Sequence, residues 1–260
     1  MVYGELSDEV LERFTQLQFG LTPSSIPSTV VITPSKIENY FQNFQKVIME
    51  KGLRIERVKG NFIVGKDSRE VLFCEGGVGS SNFTDSSILL CHCKNMEEVI
   101  FVGTGGGIGK DMESGDINLP TSCIRLDKVL EVMLPLEAPA KADLDLVKTI
   151  GQLVEKETQD IGVRIYEGVN ATVPFFFSET EQLLVDLRNQ GALPIDMELS
   201  VLYALANHYH KKVVGIIRIG DLPLDGLPTW KSRQYKLELK SEVHKRILNA
   251  ILNYVFTREL

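Results

Sequence analysis

The chain has 260 residues, 43% of them hydrophobic and 24% charged, with a formal net charge of −7. Such a composition excludes collagen-like, coiled-coil and disordered chains, and the acidic balance argues against a nucleic-acid surface, whose phosphate contacts need clustered Lys and Arg. No apolar run reaches the ~18 residues that cross a bilayer, so neither nucleic acid nor membrane is expected as a partner.

From the amino terminus onward, residues 1–28 read as a helical extension, with a helical pattern over 5–19 and a loop bearing Pro and Ser over 21–28. Its opening, MVYGELSDEVLERF, is acidic and amphipathic rather than signal-like, which points to an intracellular, cytoplasmic protein. Residues 29–260 read as the main domain. Strand-like apolar runs recur at 29–32, 61–64, 71–74, 99–103, 117–119, 163–168 and 213–219. Between and after them, residues 37–51, 81–93, 141–158, 179–190, 197–208 and 236–255 carry apolar positions at helix spacing. The alternation predicts an α/β sheet with helices on both faces. Cys74, Cys91, Cys93 and Cys123 lie in apolar segments without paired metal or redox spacing, so buried free thiols are expected. The CHC triplet at 91–93 puts its cysteines about 200° apart on a helix, and no metal site is expected.

Open α/β sheets collect ligands at the carboxyl ends of their strands, and four predicted strand ends bear residues suited to chemistry. At 75–81, EGGVGSS leaves a strand and opens a helix, a cradle of N–H groups, although Gly and Ser also serve there as plain caps. At 99–120, VIFVGTGGGIGKDMESGDINLP delivers Thr104 and three glycines just past an apolar run. Glycine lets backbone N–H groups approach a ligand closely; it equally serves a turn that needs positive φ. At 194–200, PIDMELS sets Asp196 and Glu198 at the start of an apolar helix, where acids also suit the helix dipole. At 218–221, RIGD places Asp221 directly after an apolar strand. A half-buried carboxyl there can hold a raised pKa and donate a proton, and a turn-forming aspartate looks the same in sequence.

In order and spacing these segments resemble nucleoside phosphorylase family I, the purine nucleoside phosphorylase and uridine phosphorylase family, over about residues 29–252. GGVGSS resembles its glycine-rich phosphate-side turn, FVGTGGGIGKDMESGDINLPTS its Gly-Ser/Thr-x-Gly and Gly-Asp signature, DMELSVLYALA its Glu-Met-Glu helix, and RIGD the strand end with its purine-protonating aspartate. The resemblance implies a single-domain three-layer α/β/α sandwich around a central mixed, twisted sheet. It further implies cleavage of the N-glycosidic bond of a purine nucleoside by phosphorolysis, with a hydrolytic nucleosidase or a non-catalytic nucleoside-binding protein as alternatives. No cofactor is implied beyond inorganic phosphate as co-substrate. By the same resemblance Glu198 accepts hydrogen bonds from the ribose hydroxyls and Met197 packs on the sugar. Asp221 protonates the base with help from Arg233, to which Lys231 is the near competitor, and Phe176, flanked by Phe175 and Phe177, stacks on it. Thr104, the backbone of Gly79 and an Arg57 lent by a neighbouring subunit hold phosphate. A homo-oligomer is implied, either a dimer or a hexamer built of dimers. The residues with which uridine phosphorylases read uracil have no counterpart, so a purine is preferred.

The chain is nonetheless a divergent member. Phe101 stands where the family carries a phosphate-binding arginine, and a bidentate, permanently charged grip is thereby lost. The first phosphate loop is replaced by TPSKIE at 33–38, which leaves Lys36 as a point charge and Glu38 as the nearby acid for hydrolysis. The family's amino-terminal histidine has no match among His92, His208, His210 and His244, and His208 and His210 read as solvated or capping residues.

Overall fold

Thr-Val-Val-Ile-Thr is β-branched throughout and lacks polar alternation, a pattern that suits a strand covered on both faces. In the computed structural model, which describes residues 6–228, 231 and 236–257, this segment is β1 (Thr29–Thr33), buried along its length between parallel β4 (Arg69–Glu75) and β5 (Glu98–Gly107). The remaining strands are β2 (Arg54–Val58), β3 (Asn61–Lys66), β6 (Ile117–Arg125), β7 (Ile165–Thr172), β8 (Ala192–Asp196) and β9 (Lys212–Asp221). They form one mixed nine-stranded sheet in the order β2-β3-β4-β1-β5-β8-β7-β6-β9. Because β9 also pairs with β5, the β5-to-β9 part closes into a ring. Closure needs local irregularity, and register shifts occur at Gly105/Gly106, Pro120/Ser122 and Val169/Ala171.

Helices cover both faces and give the expected three layers. On one side α1 (Asp8–Phe19), α4 (Ser80–His92) and α7 (Leu199–His208) share a core with Phe83, Phe101 and Leu202. On the other, α2 (Ile37–Tyr40), α3 (Phe44–Glu50), α5 (Leu144–Thr158) and the long α8 (Leu237–Thr257) pack around Phe41, Phe73 and Ile247. A smaller cluster lies under α6 (Glu181–Asn189) and includes Leu184, Leu187 and Ile195. The amino-terminal helix is capped by Ser7 and docks on α4, where Gln18 Nε2 donates to Ser86 Oγ at 2.9 Å. Among the described residues no helix is long and apolar enough to cross a membrane. The four cysteines are unpaired; Cys74, Cys91 and Cys93 are buried and Cys123 partly so.

Three elements depart from the periodicity. The single helix expected over 37–51 is two, interrupted at Asn43, which adopts the left-handed conformation (φ 56°) that Asn tolerates better than most residues. The break lets Phe41 and Phe44 both reach Phe73, with ring centroids at 6.2 and 4.8 Å. β2 escaped recognition because it is an exposed, charged edge strand; a two-residue turn at Lys59 and Gly60, both at positive φ, joins it to β3. β8 escaped because it is short and contains Pro194, a residue that usually argues against an interior strand.

Tyr203 of α7 fastens the layers that carry the site. Its buried hydroxyl donates to the Pro120 carbonyl at 2.7 Å and accepts the Gly215 N–H at 2.8 Å, joining α7 to β6 and β9. Tyr203→Phe leaves both backbone groups without that partner and is expected to lower stability by about 1–3 kcal/mol, read as a lower urea midpoint at unchanged m-value.

Candidate active site

Glycine backbone geometry brings two distant segments together at the carboxyl ends of β4 and β8. Gly79, at φ +83° and ψ 150°, occupies a conformation essentially closed to other residues and opens α4. Its N–H donates to Glu198 Oε1 at 2.7 Å, and the next residue, Ser80, donates through Oγ to the Met197 carbonyl at 2.6 Å. The amide expected to face phosphate is thus engaged by the carboxylate expected to face ribose. In this arrangement Gly79 positions Glu198.

The two acids of PIDMELS divide their tasks. Asp196 accepts four hydrogen bonds: from Asn170 Nδ2 (2.8 Å) and Thr172 Oγ1 (2.6 Å) on β7, and from the Glu198 and Leu199 N–H groups (3.2 and 2.6 Å) at the start of α7. It is the capping, structural acid. Glu198 makes no side-chain cap to its own helix. Burial raises the pKa of both acids. Glu198 is pushed up to about 8 by its burial and by Asp196, with the Gly79 N–H opposing. Asp196 has four donors to hold its charge and Glu198 accepts the Gly79 N–H, and the raised proton affinity belongs to the pair.

Thr104 is the one exposed position in an otherwise buried β5. Parallel pairing sets it opposite Arg218 of β9. Arg218 is 7% exposed; its Nη2 donates to Thr104 Oγ1 at 3.1 Å, its Nη1 to the Ile219 carbonyl at 3.2 Å and its Nε to His244 Nε2 at 2.8 Å. His244, from α8, also bonds the backbone of Tyr40; burial and Arg218 hold its pKa well below the ordinary range, so the ring is neutral. The Tyr40 ring lies 5.5 Å from that imidazole, and its hydroxyl is pushed up by burial and by Glu198, against the pull of Arg218. Burial lowers Arg218 itself to about 10, which leaves it charged at neutral pH.

Asp221 ends β9, where the register shift sets it opposite Gly106. The Gly-Asp turn anchors that strand end: Ser114 Oγ donates to the Gly220 carbonyl at 2.8 Å, Gly115 N–H to the Ile219 carbonyl at 2.9 Å, and Ile219 N–H to the Asp116 carbonyl at 2.7 Å. Glu179 shares the neighbourhood of Asp221, and burial together with that charge raises it to about 7.

Other expected residues lie apart or elsewhere. Arg57 is exposed on edge strand β2, separated from β5 by β3, β4 and β1, and stacks over Phe62 at 5.7 Å. It does not enter the cleft of its own chain. Phe175, Phe176 and Phe177 are 58%, 37% and 88% exposed, so the triple phenylalanine is not core packing. Arg233 lies outside the described residues. Phe101 is fully buried; its ring covers Gly103 and meets Phe83 edge-on at 5.6 Å.

A family model described as "Phosphorylase superfamily" matches residues 29–253. The chain belongs to this superfamily. Relatives of this superfamily member include a uridine phosphorylase of Thermococcus kodakarensis, 29% identical over 42% of the chain and 43% of the relative. A DeoD-type purine nucleoside phosphorylase of Anoxybacillus flavithermus is 25% identical over 59% of the chain and 64% of the relative. The chain therefore matches less than two thirds of the length of these curated relatives. Among solved structures, a purine nucleoside phosphorylase from Toxoplasma gondii shares the fold with a TM-score of 0.72 at 18% identity, covering 92% of this chain and 95% of the other. An AMP nucleosidase from Bacteroides thetaiotaomicron does so at 0.67 and 20%, covering 95% and 98%.

Arg218, His244, Tyr40 and Glu179 were not assigned roles from the sequence of this superfamily member. The Arg218 signal was nevertheless present, as a single charge inside the apolar run VVGIIRIG. Nothing local marked the other three, which reach the cleft from separate helices and loops. A raised folded-state pKa on a carboxyl group means that stability is full below its ordinary value of 4.5 and is lost as pH rises through about 8. Glu198→Gln removes that loss. Its urea-unfolding stability should equal wild type below pH 4.5 and exceed it above pH 8 by on the order of 4 kcal/mol.

Proposed function

We propose that this protein cleaves the N-glycosidic bond of a purine nucleoside, with phosphate as the attacking group. The observation that carries the reading is the gathering, around one set of strand ends, of a ribose-type acid (Glu198), a hydroxyl in the cleft (Thr104) and an acid at the end of β9 (Asp221). The nucleoside phosphorylases and the nucleosidase among its relatives support the reaction class. An ionised Glu198 can accept hydrogen bonds from two vicinal ribose hydroxyls. Asp221 in its acid form gives its proton to purine N7 as the C1′–N9 bond breaks and its electron pair moves onto the base. A phosphate oxygen forms the new bond to C1′, leaving free base, ribose 1-phosphate and an Asp221 carboxylate. Stacking of the base on Phe176, assistance from Arg233 and an Arg57 reaching from another subunit complete the proposal. The partly exposed Phe176 ring is accessible for such stacking.

Hydrolysis is the second reading, favoured by Phe101, a buried hydrocarbon side chain at the position where the resembling family carries its phosphate-binding arginine. Base release measured with and without phosphate separates the two. Phosphorolysis predicts phosphate-dependent release and ribose 1-phosphate detectable by phosphorus NMR; equal rates without phosphate establish hydrolysis. Asp221→Asn should lower kcat by about 10²–10⁴-fold with KM little changed. A wild type that binds nucleoside and releases no base would reduce the protein to a binding module.

A further inference from the structure

A guanidinium carries five N–H donors and one full positive charge. In Arg218 three of those donors are engaged, and every acceptor is neutral: the Thr104 hydroxyl, the Ile219 carbonyl and the His244 imidazole. No carboxylate among the described residues forms an ion pair with it, although the side chain is more than nine-tenths buried. Buried charges are ordinarily paired, because removing an ion from water is costly unless a counter-charge replaces the solvent. Asp221 favours the charge from a distance and the buried Lys240 opposes it, so the local field has room for an anion.

The fixed partners also say where that anion would sit. His244 holds Nε from α8, and the Ile219 carbonyl holds Nη1 from behind, which fixes the plane of the guanidinium. Nη2 faces Thr104, the exposed position of β5. Because Thr104 Oγ1 accepts from Arg218, its own O–H remains available as a donor. Two guanidinium N–H groups thus remain unengaged beside the hydroxyl of the exposed Thr104, a donor set that suits a tetrahedral oxyanion. Cation supply from β5 is blocked on the opposite face, where the Phe101 ring fills the space over Gly103.

We infer that Arg218, with Thr104, forms the phosphate-oxyanion site of this cleft, delivering from β9 the charge that β5 lacks. The inference deepens the proposed function and rests on it for the reaction served. The same chemistry suits inorganic phosphate or the phosphate group of a purine nucleoside 5′-monophosphate.

The test combines calorimetric titration of the full chain with inorganic phosphate and base-release assays. Arg218→Gln should weaken phosphate binding by at least about tenfold and raise the phosphate KM similarly, as expected for a lost charge-assisted contact. Arg218→Lys should fall between Gln and wild type, since it keeps the charge and loses the fork. Thr104→Val keeps the Arg218 charge while removing the hydroxyl donor and the acceptor of Nη2, and should weaken phosphate binding even if Arg218→Gln fails to fold. Unchanged phosphate affinity in folded Arg218→Gln, or in both Arg218→Lys and Thr104→Val, overturns the inference. Equal base release by wild type and Arg218→Gln at every phosphate concentration overturns it while leaving the proposed reaction intact. Arg218-dependent phosphate binding by a wild type that releases no base has the reverse meaning. Phosphate-independent cleavage of a nucleoside monophosphate, with its KM raised in Arg218→Gln, upholds the oxyanion site and identifies the substrate's own phosphate as its occupant.

Discussion

The parallel pairing of β5 with β9 sets Thr104 against Arg218 and, after the slip at Gly105/Gly106, sets Gly106 against Asp221. Three glycines permit it. A Cβ on Gly105 would lie 2.4 Å from the Ile195 carbonyl oxygen, one on Gly220 would lie 2.6 Å from Thr104 Cγ2, and one on Gly106 would press on Ile195 at 3.2 Å. Larger residues would push β8 off β5 and open the ring of strands. The glycine-rich signature therefore serves strand closure, and a bulge is a common way to re-aim a side chain.

Around that seam the polar groups separate into those that hold structure and those that face the cleft. Asp196 is saturated with four donors and ties β7 and β8 to the start of α7. Glu198, two residues on, has the Gly79 N–H and a pKa raised by its burial and by Asp196. Arg218 and His244 show the same division: a neutral imidazole anchors a charged guanidinium without cancelling its charge. Low local dielectric strengthens each such contact and equally raises the penalty for an unmatched charge. Sites built this way are prepared for a ligand before it arrives.

Phe101 and Arg218 lie on neighbouring parts of one sheet and serve different layers. Alternate residues of β5 point to opposite faces, so Phe101 joins the core with Phe83 and Leu202 while Thr104 faces the side occupied by Tyr40 and α8. An aromatic at position 101 seals one face with hydrocarbon. The charge enters from the neighbouring strand, three residues before Asp221.

Most of the fold was legible locally. Continuous β-branched runs identify buried strands because a strand exposes every second residue to the same layer, and helices reveal themselves through their 3.6-residue period. Apart from the break within 37–51, the expected helical segments and seven strands were found at nearly the expected places, together with the family resemblance carried by GGVGSS, FVGTGGG, DMELS and RIGD. The break at Asn43, the edge strand β2 and the proline-bearing β8 were not legible, since each depends on what packs beside it. The same limit governs the site. By itself the sequence determined which acids, glycines and hydroxyls stand at strand ends. Only the tertiary structure decided that Gly79 supports Glu198, that Asp196 is a cap, and that Arg218 meets Thr104 across a strand pair 114 residues apart in the chain. Burial and partner choice set a side chain's charge and its free donors, and both are properties of the packed chain.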